Sequence, residues 1–265
     1  MSLSIERLLA SKKKPYFKNL NRLEHLSFNL GGSRLDIDLP PHDCAFPEEE
    51  YGKQFNIFDT AIYDYGESIE DSRLRSDLGF KAVLKRSWNL YGEFWRSRHI
   101  GNLTAVVSVR DTSKLKRKVN CLDVRQFERV VLYDAFFEYG PGSLVQSKYK
   151  CPVDWKYHRI NGISWNYFEA WPDEREKGCD PYEKSHFFAC FYAPIEKDKY
   201  ITLTFYVLGS VPAGPSNKAM KNFVKRVSSS LRLRLSDFSA QTKREEELGR
   251  LGETLTAKDF ESWTY

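Results

Sequence analysis

The sequence predicts an α+β protein in which helices flank an antiparallel β-sheet. Three observations carry this. Tight-turn dipeptides separate alternating apolar stretches, aromatics reach 15% of the chain through 18 Phe, 15 Tyr and 6 Trp, and one clear helical face lies late in the sequence. Stiff aromatic and β-branched side chains suit strands. With only two Met, little in the core is left to flexible filler.

In chain order, residues 4–11 read as a short amphipathic turn of helix, followed by a basic patch and Pro15. Stretches 25–30 and 34–39 flank Gly31-Gly32, a two-residue hairpin signal. In the second of these, Leu35, Ile37 and Leu39 alternate with Arg34, Asp36 and Asp38, so one face is buried and the other wet. Residues 42–80 are acidic and irregular, with helix allowed over 68–78. Strand is expected on either side of Tyr91-Gly92. Leu103, Ala105, Val107 and Val109 place a further strand at 102–110. A solvated loop follows at 114–118, then a turn of helix at 123–127 and a strand over 130–139 closed by Gly140-Pro141-Gly142.

The last third is the most legible. Stretches 155–160 and 163–171 are separated by Asn161-Gly162, the strongest short hairpin signal. A polar loop at 172–184 leads to a strand pair, 186–192 and 200–208, around a loop at 194–199. Ser216 is placed to cap a helix in which Met220, Phe223, Val224, Val227 and Leu231 share one face. Leu231, Leu233 and Leu235 then alternate with Arg232 and Arg234, a short strand. Residues 1–235 read as one α+β domain, and 236–265 as a charged helical tail.

At 265 residues the chain can bury a full core. Its net charge of +5 is the difference between 41 basic and 36 acidic residues, so it lacks the clustered excess of a dedicated nucleic-acid binder. Five cysteines (44, 121, 151, 179 and 190) form no dense framework, which favours free thiols in a reducing compartment. No apolar stretch approaches the length of a membrane span, and the opening residues lack the apolar run of a signal peptide. A cytoplasmic location is the expectation.

The order of elements in the last third resembles a known family. A hairpin at Asn161-Gly162-Ile163-Ser164-Trp165 is followed by Tyr192-Ala193-Pro194-Ile195 and by Tyr200-Ile201-Thr202-Leu203-Thr204-Phe205. A Ser/Pro break then precedes an amphipathic helix ending in Val227-Ser228-Ser229-Ser230-Leu231-Arg232-Leu233. Over residues 155–235 this is similar to the C-terminal half of the Mog1/PsbP-like proteins, which include bacterial DcrB-type domains and the Eag chaperones of type VI secretion. The resemblance implies an antiparallel sheet flanked by helices, protein binding without catalysis, and a large insertion over about 42–150.

Several constellations compete for a chemical role. Cys179, His186 and Cys190 are soft donors near one another, but no Cys-x-x-Cys pair completes a zinc site. His42-Asp43-Cys44 puts imidazole near thiol, yet a working dyad needs the base aimed by a third group. The carboxylates at Glu48-Glu49-Glu50, Asp36/Asp38 and Glu67/Glu70/Asp71 sit in polar segments where like charges stay solvated. Gly31-Gly32 and Gly140-Pro141-Gly142 lack the spacing of a phosphate loop. Lys114, Lys116, Arg117 and Lys118, with Trp88, Tyr91, Phe94, Trp95, Arg96 and Arg98, pair cations with rings as single-strand binders do, without a recognised motif.

What remains is a protein-binding reading. The strands at 165–171 and 187–191 carry apolar side chains in both alternation registers. Either the protein's own helices cover both faces of the sheet, or one face is an apolar groove for a client helix. The expected function is a non-catalytic binding or adaptor protein, secretion-associated chaperone or immunity-like, with Trp165, Tyr167, Trp171, Phe188 and Tyr206 as contact residues. Its expected partner is another protein rather than nucleic acid, with no metal or cofactor. The competing readings are a hydrolase or transferase with a site assembled from distant residues, and a single-stranded nucleic-acid binder.

Overall fold

A computed structural model describes residues 5–11, 14–18, 20–45, 47–65, 77–93, 99–139, 149–172, 187–209 and 215–248. Its elements in order are α1 (Ile5–Leu8), β1 (Tyr16–Phe17), β2 (Glu24–Leu30), β3 (Ser33–Leu39), β4 (Glu49–Glu50), β5 (Gln54–Phe55), a 3-10 turn (Thr60–Ile62), β6 (Gly79–Tyr91) and β7 (His99–Asp111). There follow α2 (Val124–Glu138), β8 (Tyr149–Ile160), β9 (Ile163–Pro172), β10 (Phe187–Glu196), β11 (Lys199–Gly209), α3 (Pro215–Ser228), β12 (Arg232–Arg234) and α4 (Asp237–Leu248).

Eight strands form one antiparallel sheet in the order β1-β6-β7-β11-β10-β9-β8, with β4 paired to β6. Four form a smaller sheet, β12-β3-β2-β5, antiparallel except where β5 runs parallel to β2. The architecture is α+β and sheet-rich, as composition and turn signals predict. Among the described residues, no helix is long and apolar enough to cross a membrane.

Turn chemistry sets the hairpins. Asn161 and Gly162 both take positive φ, 50° and 79°, the two-residue geometry that matches strand twist and joins β8 to β9. At the far end of β11, Gly209 lies opposite Gly101. A Cβ there would come within 2.4 Å of the Gly101 Cα, so only glycine lets β7 and β11 stay paired to their ends.

The large sheet packs on both faces. One face presents Leu203, Phe205, Trp165 and Val107 to β2, β3 and α3 in a single apolar cluster. Phe223 of α3 is its wedge: its ring stacks on Phe17 at 5.2 Å, meets Trp88 edge-on at 5.2 Å and Phe205 at 6.2 Å. The predicted α3 face of Met220, Phe223, Val224, Val227 and Leu231 is buried throughout. On the opposite face α2 covers Phe168, Ala170, Cys190, Tyr192 and Tyr200.

Four expectations need correction. Residues 130–139 belong to helix α2 up to Glu138 instead of forming a strand. Their β-branched and aromatic content suits strands, but burial at Phe127, Val130, Val131, Asp134, Ala135 and Tyr139 follows helical spacing. The start is fixed by Asp123, whose carboxylate accepts the Arg125 and Gln126 amides at 2.9 and 3.1 Å. The loop expected at 194–199 shrinks to two residues, because β10 continues to Glu196 through a bulge. Ser216 falls inside the first turn of α3, which starts at Pro215. Finally, Tyr91 closes β6 and neither Gly92 nor Glu93 is in a strand, while the rest of the strand expected there lies outside the described residues. The expected helix at 68–78 and the turn at 140–142 lie outside the described residues, save Asp77 and Leu78.

Residues 42–150 include β6 and β7, the longest described strands; they pair with each other in the large sheet, and β7 pairs in turn with β11.

Candidate functional site

The five aromatic residues expected to make contact fall on opposite faces of the sheet. Trp165 and Tyr167 belong to the apolar cluster beneath α3, with Trp171 packed against it. Phe188 packs against the cluster beneath α2, and Tyr206 faces it across the β10–β11 pair with ring centroids 5.9 Å apart. Trp165 is fully buried and Tyr167 only 7% exposed. They do not form one surface.

Tyr167 and Trp171 instead serve a buried carboxylate. On β9, Glu169 accepts the Tyr167 hydroxyl at 2.6 Å and the Trp171 indole N–H at 2.9 Å. Lys221 of α3 closes the group with its Nζ 2.9 Å from Glu169 and 5.1 Å over the Trp171 ring. Burial, followed by the bond to Glu169, pushes the Tyr167 phenol far above its ordinary range. A carboxylate so supplied with donors is a packing device.

Other charged and polar groups are similarly engaged. Arg86 is 3% exposed and donates to Glu48 at 2.6 Å, Glu24 at 3.0 Å and the Pro40 carbonyl at 2.9 Å. Glu49 bonds Lys85 and Tyr51, and the Tyr51 hydroxyl, then Lys85, holds its carboxyl below the usual range. His42 accepts the Ser87 amide on Nδ1 and donates through Nε2 to the Cys44 carbonyl, so the ring nitrogens are committed to backbone rather than to the thiol. Asp111, fully buried, takes the Tyr65 hydroxyl at 2.5 Å, the Ser113 hydroxyl at 2.7 Å and the Ser113 amide at 2.9 Å. Burial pushes Tyr65 up to about 12, reinforced by the Asp111 bond.

Of the proposed zinc donors, Cys190 is buried under α2, whereas Cys179 and His186 lie outside the described residues; among those residues no group of three or more potential ligands gathers. Glu67, Glu70, Asp71, Phe94, Trp95, Arg96 and Arg98 also lie outside them. Trp88 is a core residue, and Lys114 sits 3.5 Å over the Tyr65 ring, so this part of the cation–ring constellation is used in packing.

One arrangement was not anticipated. Three serines end α3: Ser228, Ser229 and Ser230 each donate to the carbonyl three residues back, and Ser230 also accepts the Asp38 amide at 3.0 Å. This delivers the chain to β12 at the edge of the small sheet, where Leu233 pairs with Leu35. Ser236 then starts α4 by accepting the Ser239 amide, and Ser239 donates to Glu196 at 2.5 Å, fastening α4 to β10.

Between β12, α4 and the β8–β9 turn lies a cleft of about 540 Å³, with Arg159, Asn161, Arg232, Arg234 and Lys243 in its lining. Arg159, Arg232 and Arg234 are exposed. Among the described residues, their side chains take part in no hydrogen bond or ion pair. Their neighbour Arg34, opposite Arg234 on β3, binds Asp36 at 2.9 Å. The signal for this cleft was present in the alternation 231–235, where the leucines mark the core and the arginines the open side.

Comparison with protein-family models, curated proteins and solved structures gives no match in any of the three. The cleft is therefore read from its own chemistry.

Proposed function

We propose that the protein is a non-catalytic binding or adaptor protein for another protein, and that it makes contact through the cationic cleft. The observation that carries this reading is the set of three exposed guanidinium groups around one cleft on strand and turn elements, none of them paired among the described residues. Guanidinium presents a rigid fork of donors that matches carboxylates. Three such groups around one cleft, none of them ion-paired among the described residues, repel one another, and an anionic partner relieves that repulsion.

The finer reading is a Mog1/PsbP-like fold with a large insertion and a role as a bacterial secretion-associated chaperone or immunity-like protein. It is supported by the element order: a β8–β9 hairpin, the β10–β11 pair, then α3 and β12. The aromatic strands then act as scaffold.

Affinity capture from a lysate of the source organism tests the proposal, using the full chain and a variant carrying Arg159→Glu, Arg232→Glu and Arg234→Glu. One stoichiometric protein captured by the first and lost by the second is the expected result. Specific recovery of RNA or DNA, or a protein retained equally by both baits, would sink it.

A further inference from the structure

The chemistry of the partner follows from the position of β12, and this step rests on the adaptor reading above. We infer that the cleft receives an extended acidic segment of the partner, added to β12 as a further strand, with carboxylates at alternate positions facing Arg232 and Arg234.

Among the described residues, β12 ends the small sheet. It pairs with β3 on one side, and its residues line the cleft. Arg232 and Arg234 share one face, so their Cα atoms stand roughly 6.6 Å apart, the spacing of alternate residues in any neighbouring strand. An added strand with acids at every second position therefore meets both guanidinium groups in register, while the strand edge supplies backbone hydrogen bonds. On its β3 side, β12 already faces an alternating row that includes acids. Along β3, Arg34, Asp36 and Asp38 alternate with apolar residues, and Asp36 lies directly opposite Arg232 while bonding Arg34. A strand added to the other edge would repeat the acidic pattern of β3.

The lining also selects against other anions. Ile163 and Leu235 offer apolar contact for the side chains between the acids. Among the described residues no aromatic ring lines the cleft, so they offer nucleobases no stacking platform. The cations are spread at strand spacing instead of converging on one point, which suits a row of carboxylates better than a single compact phosphate. Arg159, carried by the β8–β9 hairpin, supplies a third cation beyond those of β12.

Fluorescence anisotropy with the full chain tests this, using labelled peptides of equal composition. One alternates Glu and Val, and the other carries them as separate blocks. The alternating peptide should bind at least about tenfold more tightly than the block peptide, with affinity falling as ionic strength rises. Arg232→Glu with Arg234→Glu should abolish binding, whereas Arg232→Lys with Arg234→Lys should keep part of it; circular dichroism checks that both variants fold. Equal binding of the two peptides, sensitive to charge reversal, overturns the strand register and leaves the adaptor reading standing. Binding of neither peptide overturns the inference. If inorganic polyphosphate then binds and charge reversal abolishes it, the adaptor reading falls as well.

Discussion

On the face that meets α3 and the small sheet, β11 presents Ile201, Leu203, Phe205 and Val207; on the face towards α2 it presents Tyr200, Thr202, Thr204 and Tyr206. The first set needs only matching shape. The second needs matching donors and acceptors: Tyr200 donates to Asp134 of α2 at 2.9 Å, and the Thr202 hydroxyl meets Ser108 at 2.6 Å. The first face is buried throughout and the second in part, with Thr204 and Tyr206 half-buried, and their stability comes from different sources. An apolar face loses stability through cavities, and a polar one through unmatched groups.

The largest effect expected is on the apolar face. Phe223→Ala removes the ring wedged between Phe17, Trp88 and Phe205 and should cost about 3–5 kcal/mol, read from urea denaturation. On the other face, Tyr200→Phe keeps the ring but withdraws a donor from a buried carboxylate. It should cost about 1–2 kcal/mol in the same assay. Equal losses from the two variants would break the distinction.

Acid sharpens the comparison further, because charge at the rim of the apolar face depends on Asp111. Burial alone would raise its carboxyl, but bonds from Tyr65 and Ser113, aided by Lys199, outweigh this and leave it below the ordinary 3.8. A carboxylate lowered by folding stabilises above its unfolded value and loses that contribution as pH falls through the folded one. Stability should therefore decline below about pH 4, and Asp111→Asn should flatten that decline while lowering stability at neutral pH. A steeper acid slope in the variant would contradict the assignment. The smallest effect belongs to the open edge: Arg234→Ala should shift stability by no more than about 0.5 kcal/mol while weakening acidic-peptide binding.

The same contrast explains what could be read from the chain. Apolar periodicity revealed the β2–β3 hairpin, β7, β11 and α3 because burial alone selects those residues. Periodicity was less reliable for α2, where Val130, Val131 and Phe136 suggest a strand and Asp134 interrupts the apolar pattern. The pairing of Asp123 with Gln126, whose side chain donates back to the cap at 3.1 Å, was the local sign of a helix start. The aromatic residues of β9 and β10 were legible as buried or half-buried strand residues. Their division between two faces could be read from alternation, but Glu169 as the partner of Tyr167 and Trp171 could not. The cleft depends on β8–β9, β12 and α4 meeting in space, and no window of sequence contains all three.

The pairing of Leu35 with Leu233 spans 198 residues. At about 5–20 residues per second, a ribosome that has finished β3 needs roughly 10–40 s to make its partner strand β12. The β2–β3 hairpin must wait that long with one edge uncovered, and the cleft beside β12 forms only after β12 and α4 have been made. A partner that recognises this cleft would thus engage chains in which β12 has been made and pass over those in which it has not.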